Sequence, residues 1–132
     1  MKSRLPLDPD KLKRQTQRLG DKLPFSAQVL LVCDGDTILV ARDCLEGESK
    51  RQEYIRLAAI DAPEMRGPDA RMALWSQQFL EKWILGQVVT VTPRRIWRDP
   101  YHRIIATVTF GGKDVGTCLL ENGHAVVRKT SR

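Results

Sequence analysis

The stretch VCDGDTILV, from Val32 to Val40, sets two carboxylates into a run that otherwise predicts a buried β-strand. Asp-Gly between two runs of β-forming residues is a strong signal for a hairpin, because both turn positions tolerate a positive φ. A turn accounts for Asp34 but leaves Asp36 without a structural role. The stretch therefore predicts a strand pair and, within it, a chemical site.

The flanking sequence extends this hairpin into a small barrel. Strands are expected at 28–33, 36–42, 52–60, 88–92 and 104–110, and helices at 72–84 and 114–122. Apolar residues at three- and four-residue intervals mark the first helix, and we interpret them as core: Met72, Trp75, Phe79, Leu80, Trp83 and Ile84. The order β-β-β-α-β-β-α predicts a mainly β, α+β fold, a five-stranded antiparallel OB-fold barrel with a helix after strand 3 and a short helix near the C-terminus.

The composition predicts one globular domain. The chain has 132 residues, of which 42% are hydrophobic and 29% charged. We expect residues 25–132 to form the domain and residues 1–24 to form a charged arm or a short helix. Three cysteines without a CxxC or Cys/His spacing predict neither a disulfide framework nor a zinc site.

The charge balance favours an acidic partner. Lys and Arg number 22 against 16 Asp and Glu, which gives a net charge of +6 and suits nucleic acid or an anionic membrane surface. No apolar run approaches the length that crosses a bilayer, and the amino terminus lacks the pattern of a signal segment, so a soluble protein is expected. No strongly amphipathic apolar helix supports the membrane-surface alternative.

Four carboxylates are expected to meet at one end of neighbouring strands. They lie at the start of the second strand or just beyond the third: Asp34, Asp36, Asp61 and Glu64. Such a cluster repels itself and raises its own pKa values unless a cation neutralises it, and hard oxygen ligands favour calcium or magnesium. The carboxylates alone also allow a two-metal phosphodiesterase.

Arginines are expected at the same pocket. Arg56 lies within the third strand and Arg103 ends the loop RDPYHR. A guanidinium presents a planar fork of donors that matches phosphate oxygens, and metal, carboxylate and arginine together are what phosphodiester hydrolysis needs. The loop before Arg103 mixes basic and aromatic residues in a way that suits a single nucleic-acid strand: Arg94, Arg95, Trp97, Arg98 and Tyr101.

Three charged blocks, CDGDT, YIRLAAIDAPE and DPYHR, occur in order on this pattern of strands, followed by the weaker block GKDVGTCLLENGHAVV. With them the chain from about Ala27 to Arg128 resembles the staphylococcal nuclease (thermonuclease) family. The resemblance implies that Asp36, Asp61 and the backbone carbonyl of Ala62 bind one calcium ion. It places Asp34 in the outer shell of that ion.

The resemblance also implies catalytic roles. Glu64 acts as general base or positions the attacking water, while Arg56 and Arg103 hold the scissile phosphate and stabilise the transition state. Tyr101 touches a terminal phosphate or sugar, and Arg95 and Arg98 are expected to add substrate contacts. The implied reaction is calcium-dependent hydrolysis of DNA or RNA that leaves 3′-phosphates.

Two features keep an alternative open. Pro100 and His102 replace residues that are small or basic in the family pattern, and His tolerates an unusual φ less well than Gly, so the loop that aims Arg103 is expected to run differently. A barrel of this kind also serves as a pure nucleic-acid-binding module, as in the degenerate repeats of the Tudor staphylococcal nuclease proteins. The charged positions are all present here, which favours the enzyme.

Overall fold

The computed structural model describes residues 23–43 and 50–129. The arm or helix predicted over residues 1–24 therefore lies almost wholly outside the described residues, as does Cys44. The described elements, in chain order, are β1 Phe25–Asp34, β2 Thr37–Asp43, β3 Lys50–Leu57, β4 Ile60–Asp61, α1 Ala70–Ile84, β5 Val88–Arg98, β6 Ile104–Phe110, β7 Lys113–Asp114, α2 Val115–Glu121 and β8 Val126–Val127.

Five strands close into a barrel. β1 pairs with β2 and β2 with β3 in the predicted meander, β1 also pairs with β5, and β5 pairs with β6, all antiparallel. β3 and β6 close the barrel in parallel, with Arg56 opposite Ile105. The OB-fold prediction is confirmed. Its antiparallel description is wrong for this last pair, because α1 and β5 form a long crossover that returns the chain in the same direction.

The barrel interior is aliphatic, and α1 covers one end of it. Inward residues of the strands alternate with outward ones, as expected of a sheet with one buried face. The largest fully buried side chains are Ile38, Ile55, Leu80, Ile84, Ile104, Leu119, Val29, Val32, Val40, Val89, Val91 and Val108. Neither of the described helices is long and apolar enough to cross a membrane.

The core stripe predicted for α1 is correct at its C-terminal half and wrong at its N-terminal half. Leu80 and Ile84 are fully buried, whereas Met72 is 47% exposed and Trp75 59% exposed. The buried residues of the first turns are small, Ala73 and Ser76. This half of the helix therefore faces the barrel with small side chains, and the bulky ones point outward.

Gly35 explains why small residues are needed there. It lies in the turn between β1 and β2, and a Cβ built on it would stand 2.7 Å from Cβ of Ser76 and 2.8 Å from Cβ of Ala62. Real Cβ atoms do not approach so closely. The turn, the start of α1 and the segment after β4 thus meet at one glycine, and this close approach brings the carboxylates of the turn next to Asp61.

The C-terminal ends of β5 and β3, which lie near the carboxylate cluster, differ from the prediction. β5 continues to Arg98, which pairs with Ile104 after a bulge, so the expected basic loop shrinks to the few residues around Tyr101. β3 ends at Leu57 rather than at residue 60, because Ala59 adopts a φ of 67° in a turn. The chain then re-enters β4, which pairs with β8.

Candidate active site

The register of the barrel places Asp36 beside Arg56. Thr37 at the start of β2 lies opposite Arg56 in β3, and the backbone N–H of Leu57 donates to the carbonyl of Asp36 at 2.8 Å. Nη2 of Arg56 is 3.3 Å from Oδ2 of Asp36. Residues 20 positions apart in the chain therefore form an ion pair within the barrel wall.

The Arg56 guanidinium is fixed on several sides. It is 7% exposed, and its Nη1 donates to the carbonyls of Leu57 at 2.7 Å and Ile60 at 2.8 Å. Its Nη2 also donates to Oδ1 of Asp61. Arg56 thus bridges the carboxylates of Asp36 and Asp61, and the strand end at Leu57 and the turn to Ile60 supply the carbonyls that hold it.

Asp36 is the most perturbed carboxyl of the site. Its Oδ2 accepts the backbone N–H of Ala62 at 2.9 Å, its Oδ1 accepts the hydroxyl of Thr37 at 3.1 Å, and its own N–H donates to Oδ1 of Asp34 at 3.0 Å. Burial and the neighbouring Asp34 raise the pKa of Asp36 to about 6, against the opposing effects of the Ala62 N–H and of Arg56. At neutral pH Asp36 is therefore mainly ionised, at a cost in free energy that a bound cation would reduce.

The donor set suits a hard cation. Across residues 23–43 and 50–129, no group of three or more His, Cys, Asp or Glu side chains is arranged to hold a metal ion. The predicted ligand set does not require one, because it combines two direct carboxylates, Asp36 and Asp61, with the backbone oxygen of Ala62. These donors are all oxygen, as a hard cation prefers, and the pKa of Asp36 is raised by burial first and by the neighbouring Asp34 second, which a bound cation would oppose.

Arg103 is aimed by Asp99, a residue to which the sequence analysis gave no role. Nε of Arg103 donates to Oδ2 of Asp99 at 2.6 Å, and Oδ1 of Asp99 accepts the backbone N–H groups of Tyr101 and Arg103, each at 2.9 Å. Burial alone would raise the pKa of Asp99, but these hydrogen bonds and the charge of Arg103 outweigh it and lower the pKa. The signal in the sequence was Asp-Pro, a common start of a turn.

The turn between β5 and β6 also directs Arg103 to the carboxylate cluster. Nη1 of Arg103 lies 3.4 Å from Oγ1 of Thr37, whose hydroxyl contacts Asp36. His102 adopts a φ of 63°, the left-handed conformation that a glycine would take, and its N–H donates to the carbonyl of Asp99 at 3.0 Å. Histidine therefore does not prevent the tight turn that delivers Arg103.

Two of the predicted site residues, Glu64 and Tyr101, have exposed side chains. Glu64 follows the Asp61-Ala62-Pro63 segment, is exposed, and makes no hydrogen bond or ion pair with another described residue. Tyr101 is 77% exposed, with the guanidinium carbon of Arg103 5.4 Å from its ring centre. Both side chains face solvent.

Two arginines of β5, Arg98 and Arg95, were predicted to contact the substrate, and the structure describes the side chain of Arg98. Arg98 pairs with the buried Glu53, Nη1 at 3.2 Å from Oε1 and Nη2 at 3.0 Å from Oε2, and its Nη1 also donates to the carbonyl of His102 at 2.7 Å. Arg98 therefore ties the strand β3 to the turn that carries Arg103. The side chain of Arg95 is outside the described part of the chain.

Arg128 completes the cluster and was not predicted. It follows β8, and its Nη1 is 3.2 Å from the same Oδ1 of Asp61 that Arg56 contacts. A narrow crevice is lined by Arg56, Arg103 and Arg128 together with Asp99. No local motif marks Arg128, because only the pairing of β8 with β4 brings it to Asp61.

Comparison with known proteins agrees with this geometry. The family described as Staphylococcal nuclease homologue matches residues 54–132, well over half of the chain. No curated protein sequence matches significantly. The matched region contains Arg56, Asp61, Glu64 and Arg103, while Asp34 and Asp36 precede it in the same barrel. The chain belongs to the staphylococcal nuclease homologue family, whose domains are nuclease and nucleic-acid-binding folds.

Proposed function

We propose that this protein is a calcium-dependent nuclease that hydrolyses phosphodiester bonds of DNA or RNA, favours single strands and leaves 3′-phosphate ends. The observation that carries the proposal is a cluster in which Arg56 contacts both Asp36 and Asp61. Arg103 lies near Thr37, whose hydroxyl contacts Asp36 in the same cluster. Carboxylates for a cation and guanidiniums for a phosphate meet there within one network.

The metal would be held by this chain's oxygens. Asp36, Asp61 and the carbonyl of Ala62 would bind it directly, and Asp34 would lie in its outer shell. A bound calcium ion supplies positive charge that polarises the phosphate and lowers the pKa of water. The 2.9 Å hydrogen bond from the Ala62 N–H to Asp36 supports this set, because it keeps the segment after β4 against the turn.

The remaining residues act on the phosphate and on the attacking water. Glu64 accepts a proton from water as the oxygen of that water bonds to phosphorus, and the bond to the 5′ oxygen breaks with that oxygen taking up a proton from solvent. Arg56 and Arg103 donate to the phosphate oxygens that gather negative charge. Tyr101, Arg98 and Arg95 are proposed to contact the neighbouring nucleotides.

The test is cleavage of single-stranded DNA at mildly alkaline pH, in calcium and in chelator, with the ends of the fragments identified. We expect cleavage in calcium only, with 3′-phosphate ends. Glu64→Gln and Arg103→Ala should each lower the rate about a hundred-fold or more if they behave like other charged transition-state contacts. Lys113→Ala, which removes a charge in β7, beyond the end of β6 that lies away from Arg103, should leave the rate unchanged.

Two outcomes would contradict the proposal. Equal cleavage in calcium and in chelator would exclude the metal requirement. Binding of DNA without any cleavage would identify the domain as a nucleic-acid-binding module that keeps the charged positions. Thermal unfolding of each variant must match that of the unaltered protein, so that a loss of rate reports on the site and not on folding.

A further inference from the structure

Arg128 is fixed beside the cluster by backbone pairing. β8 lies antiparallel to β4, with Val126 opposite Asp61, and the N–H of Arg128 donates to the carbonyl of Ala59 at 2.9 Å. The residue therefore has a defined place next to the carboxylate that β4 presents.

The Arg128 side chain contacts the carboxylate cluster and remains partly exposed to solvent. Its Nη1 lies 3.2 Å from Oδ1 of Asp61, and the side chain remains 23% exposed. Arg56, in contrast, is 8% exposed and its Nη1 is used on two backbone carbonyls. Both guanidiniums line the same crevice, and that of Arg128 is the more exposed of the two.

The local charge balance shows why another cation is useful there. The cluster holds four carboxylates: Asp34, Asp36, Asp61 and Asp99. Arg56 and Arg103 alone leave it acidic, and an acidic pocket repels a polyanion such as nucleic acid. Arg128 shares Asp61 with Arg56, so it reduces the negative charge that a substrate phosphate meets on entry.

We propose that Arg128 is a third phosphate-binding arginine, which contacts the substrate phosphate next to the scissile one. The inference rests on the proposed function for its substrate class, a single-stranded nucleic acid. A guanidinium held on one side by a carboxylate and open to solvent on another is well placed to donate to phosphate oxygens. Arg128 would bind the substrate and take no part in proton transfer.

The test measures binding of a single-stranded DNA oligonucleotide in chelator, so that metal-dependent cleavage does not interfere. We expect Arg128→Ala to weaken binding about 5- to 30-fold and to reduce the slope of log K against log salt by about 0.7, the value for one lost phosphate contact on a single strand. Arg128→Lys should keep the slope and recover part of the affinity. Lys113→Ala should change neither.

Calcium binding to the same variants, measured by calorimetry, separates this role from a merely structural one. Removal of a positive charge beside Asp61 should leave calcium affinity unchanged or raise it. A structural role in holding Asp61 predicts weaker calcium binding together with weaker DNA binding, and that result would overturn the proposal. So would a salt slope for Arg128→Ala equal to that of the unaltered protein.

Failure of the proposed function gives a different result. If the unaltered protein binds DNA but does not cleave it, the nuclease proposal fails while the binding measurements on Arg128→Ala still decide the role of Arg128. If cleavage occurs and Arg128→Ala behaves like Lys113→Ala in binding, the nuclease proposal stands and the inference about Arg128 is wrong.

Discussion

The carboxylate of Asp99 holds Arg103 at two points, its Nε at 2.6 Å and its backbone N–H at 2.9 Å. Asp99 is 6% exposed, whereas the Arg103 side chain is 30% exposed. A buried acceptor thus fixes both the turn and the direction of the Arg103 guanidinium at the candidate site. Such a partner of an active-site residue limits the positions that the residue samples, which is what preorganisation requires.

The first prediction concerns this pair. Asp99→Asn keeps one oxygen for the backbone N–H groups but loses the charged acceptor for Nε of Arg103. We expect kcat to fall about 10- to 100-fold, by analogy with other partners that orient active-site residues, with little change in KM. Steady-state kinetics on a single-stranded substrate measures both constants.

A double variant checks that Asp99 acts through Arg103. If it does, Asp99→Asn combined with Arg103→Ala should be no slower than Arg103→Ala alone, since effects on one unit are not additive. Additive losses would mean that Asp99 supports the site by another route, such as the fold of the turn.

The second prediction concerns pH and Asp36. The pKa of Asp36 is raised from 3.8 in the unfolded chain to about 6, so this carboxyl stabilises the fold when protonated and loses that contribution as the pH rises from about 4 through 6. Asp36→Asn stays neutral. In chelator at pH 8 it should increase the free energy of unfolding by about 1–2 kcal/mol, less than the full shift implies because Asn has one fewer acceptor.

Urea unfolding at pH 4 and pH 8 measures this effect. The gain of Asp36→Asn should be near zero at pH 4 and appear at pH 8. An equal change at both pH values would show that the titration of Asp36 is not the cause. Calcium should remove the advantage, because a bound cation stabilises the ionised carboxylate of the unaltered protein.

The third prediction concerns the close approach at Gly35. A methyl group there would collide with Cβ of Ser76 and Cβ of Ala62. Gly35→Ala should therefore lower the free energy of unfolding by about 1–3 kcal/mol, the usual cost of overpacking, and should also displace the turn that carries Asp36. Ala62→Gly in the same chain removes one collision and should restore part of the stability. No restoration would locate the strain elsewhere.

The fourth prediction distinguishes the two tryptophans of α1, Trp75 and Trp83. Trp75 is 59% exposed, whereas Trp83 packs against the core with its ring 6.1 Å from Phe79 and 6.2 Å from Phe110, centre to centre. Trp75→Ala should change the free energy of unfolding by less than about 0.5 kcal/mol, and Trp83→Ala should lower it by about 2–3 kcal/mol. Similar losses for both in urea unfolding would contradict the placement of Trp75.

The fifth prediction concerns Arg98, which the structure pairs with Glu53. Arg98→Ala leaves a carboxylate that is 8% exposed with Arg51 as its remaining partner at 3.3 Å. The free energy of unfolding should fall by about 1–2 kcal/mol, since a pair with one buried and one partly exposed partner is worth less than a fully buried one. With Glu53→Gln also present, the added cost of Arg98→Ala should largely disappear; a rise in KM that persists in the double variant would report a substrate contact by Arg98.

The sequence alone determined the barrel and named the residues of the candidate site, whose roles stay predictions. Strand alternation, the Asp-Gly turn and the order of elements are local signals, because each follows from side-chain periodicity of 2 or 3.6 residues and from turn chemistry. They were sufficient to predict the OB-fold, and the charged blocks were sufficient to recognise the family. The carboxylates of the cluster lie at or just beyond strand ends, whose positions local signals predict less well than the strands themselves.

Only the tertiary structure decided how the site is held together. The parallel closure of β3 on β6, the small-residue face of α1 over Gly35, and the partners Asp99 and Arg128 all depend on contacts between distant segments. Periodicity cannot show that the face of α1 over Gly35 must carry small side chains. Nor can it show that the pairing of β4 with β8 brings Arg128 to Asp61. Such features arise from close packing and strand register, which fix positions in space that the sequence specifies only when the whole chain has folded.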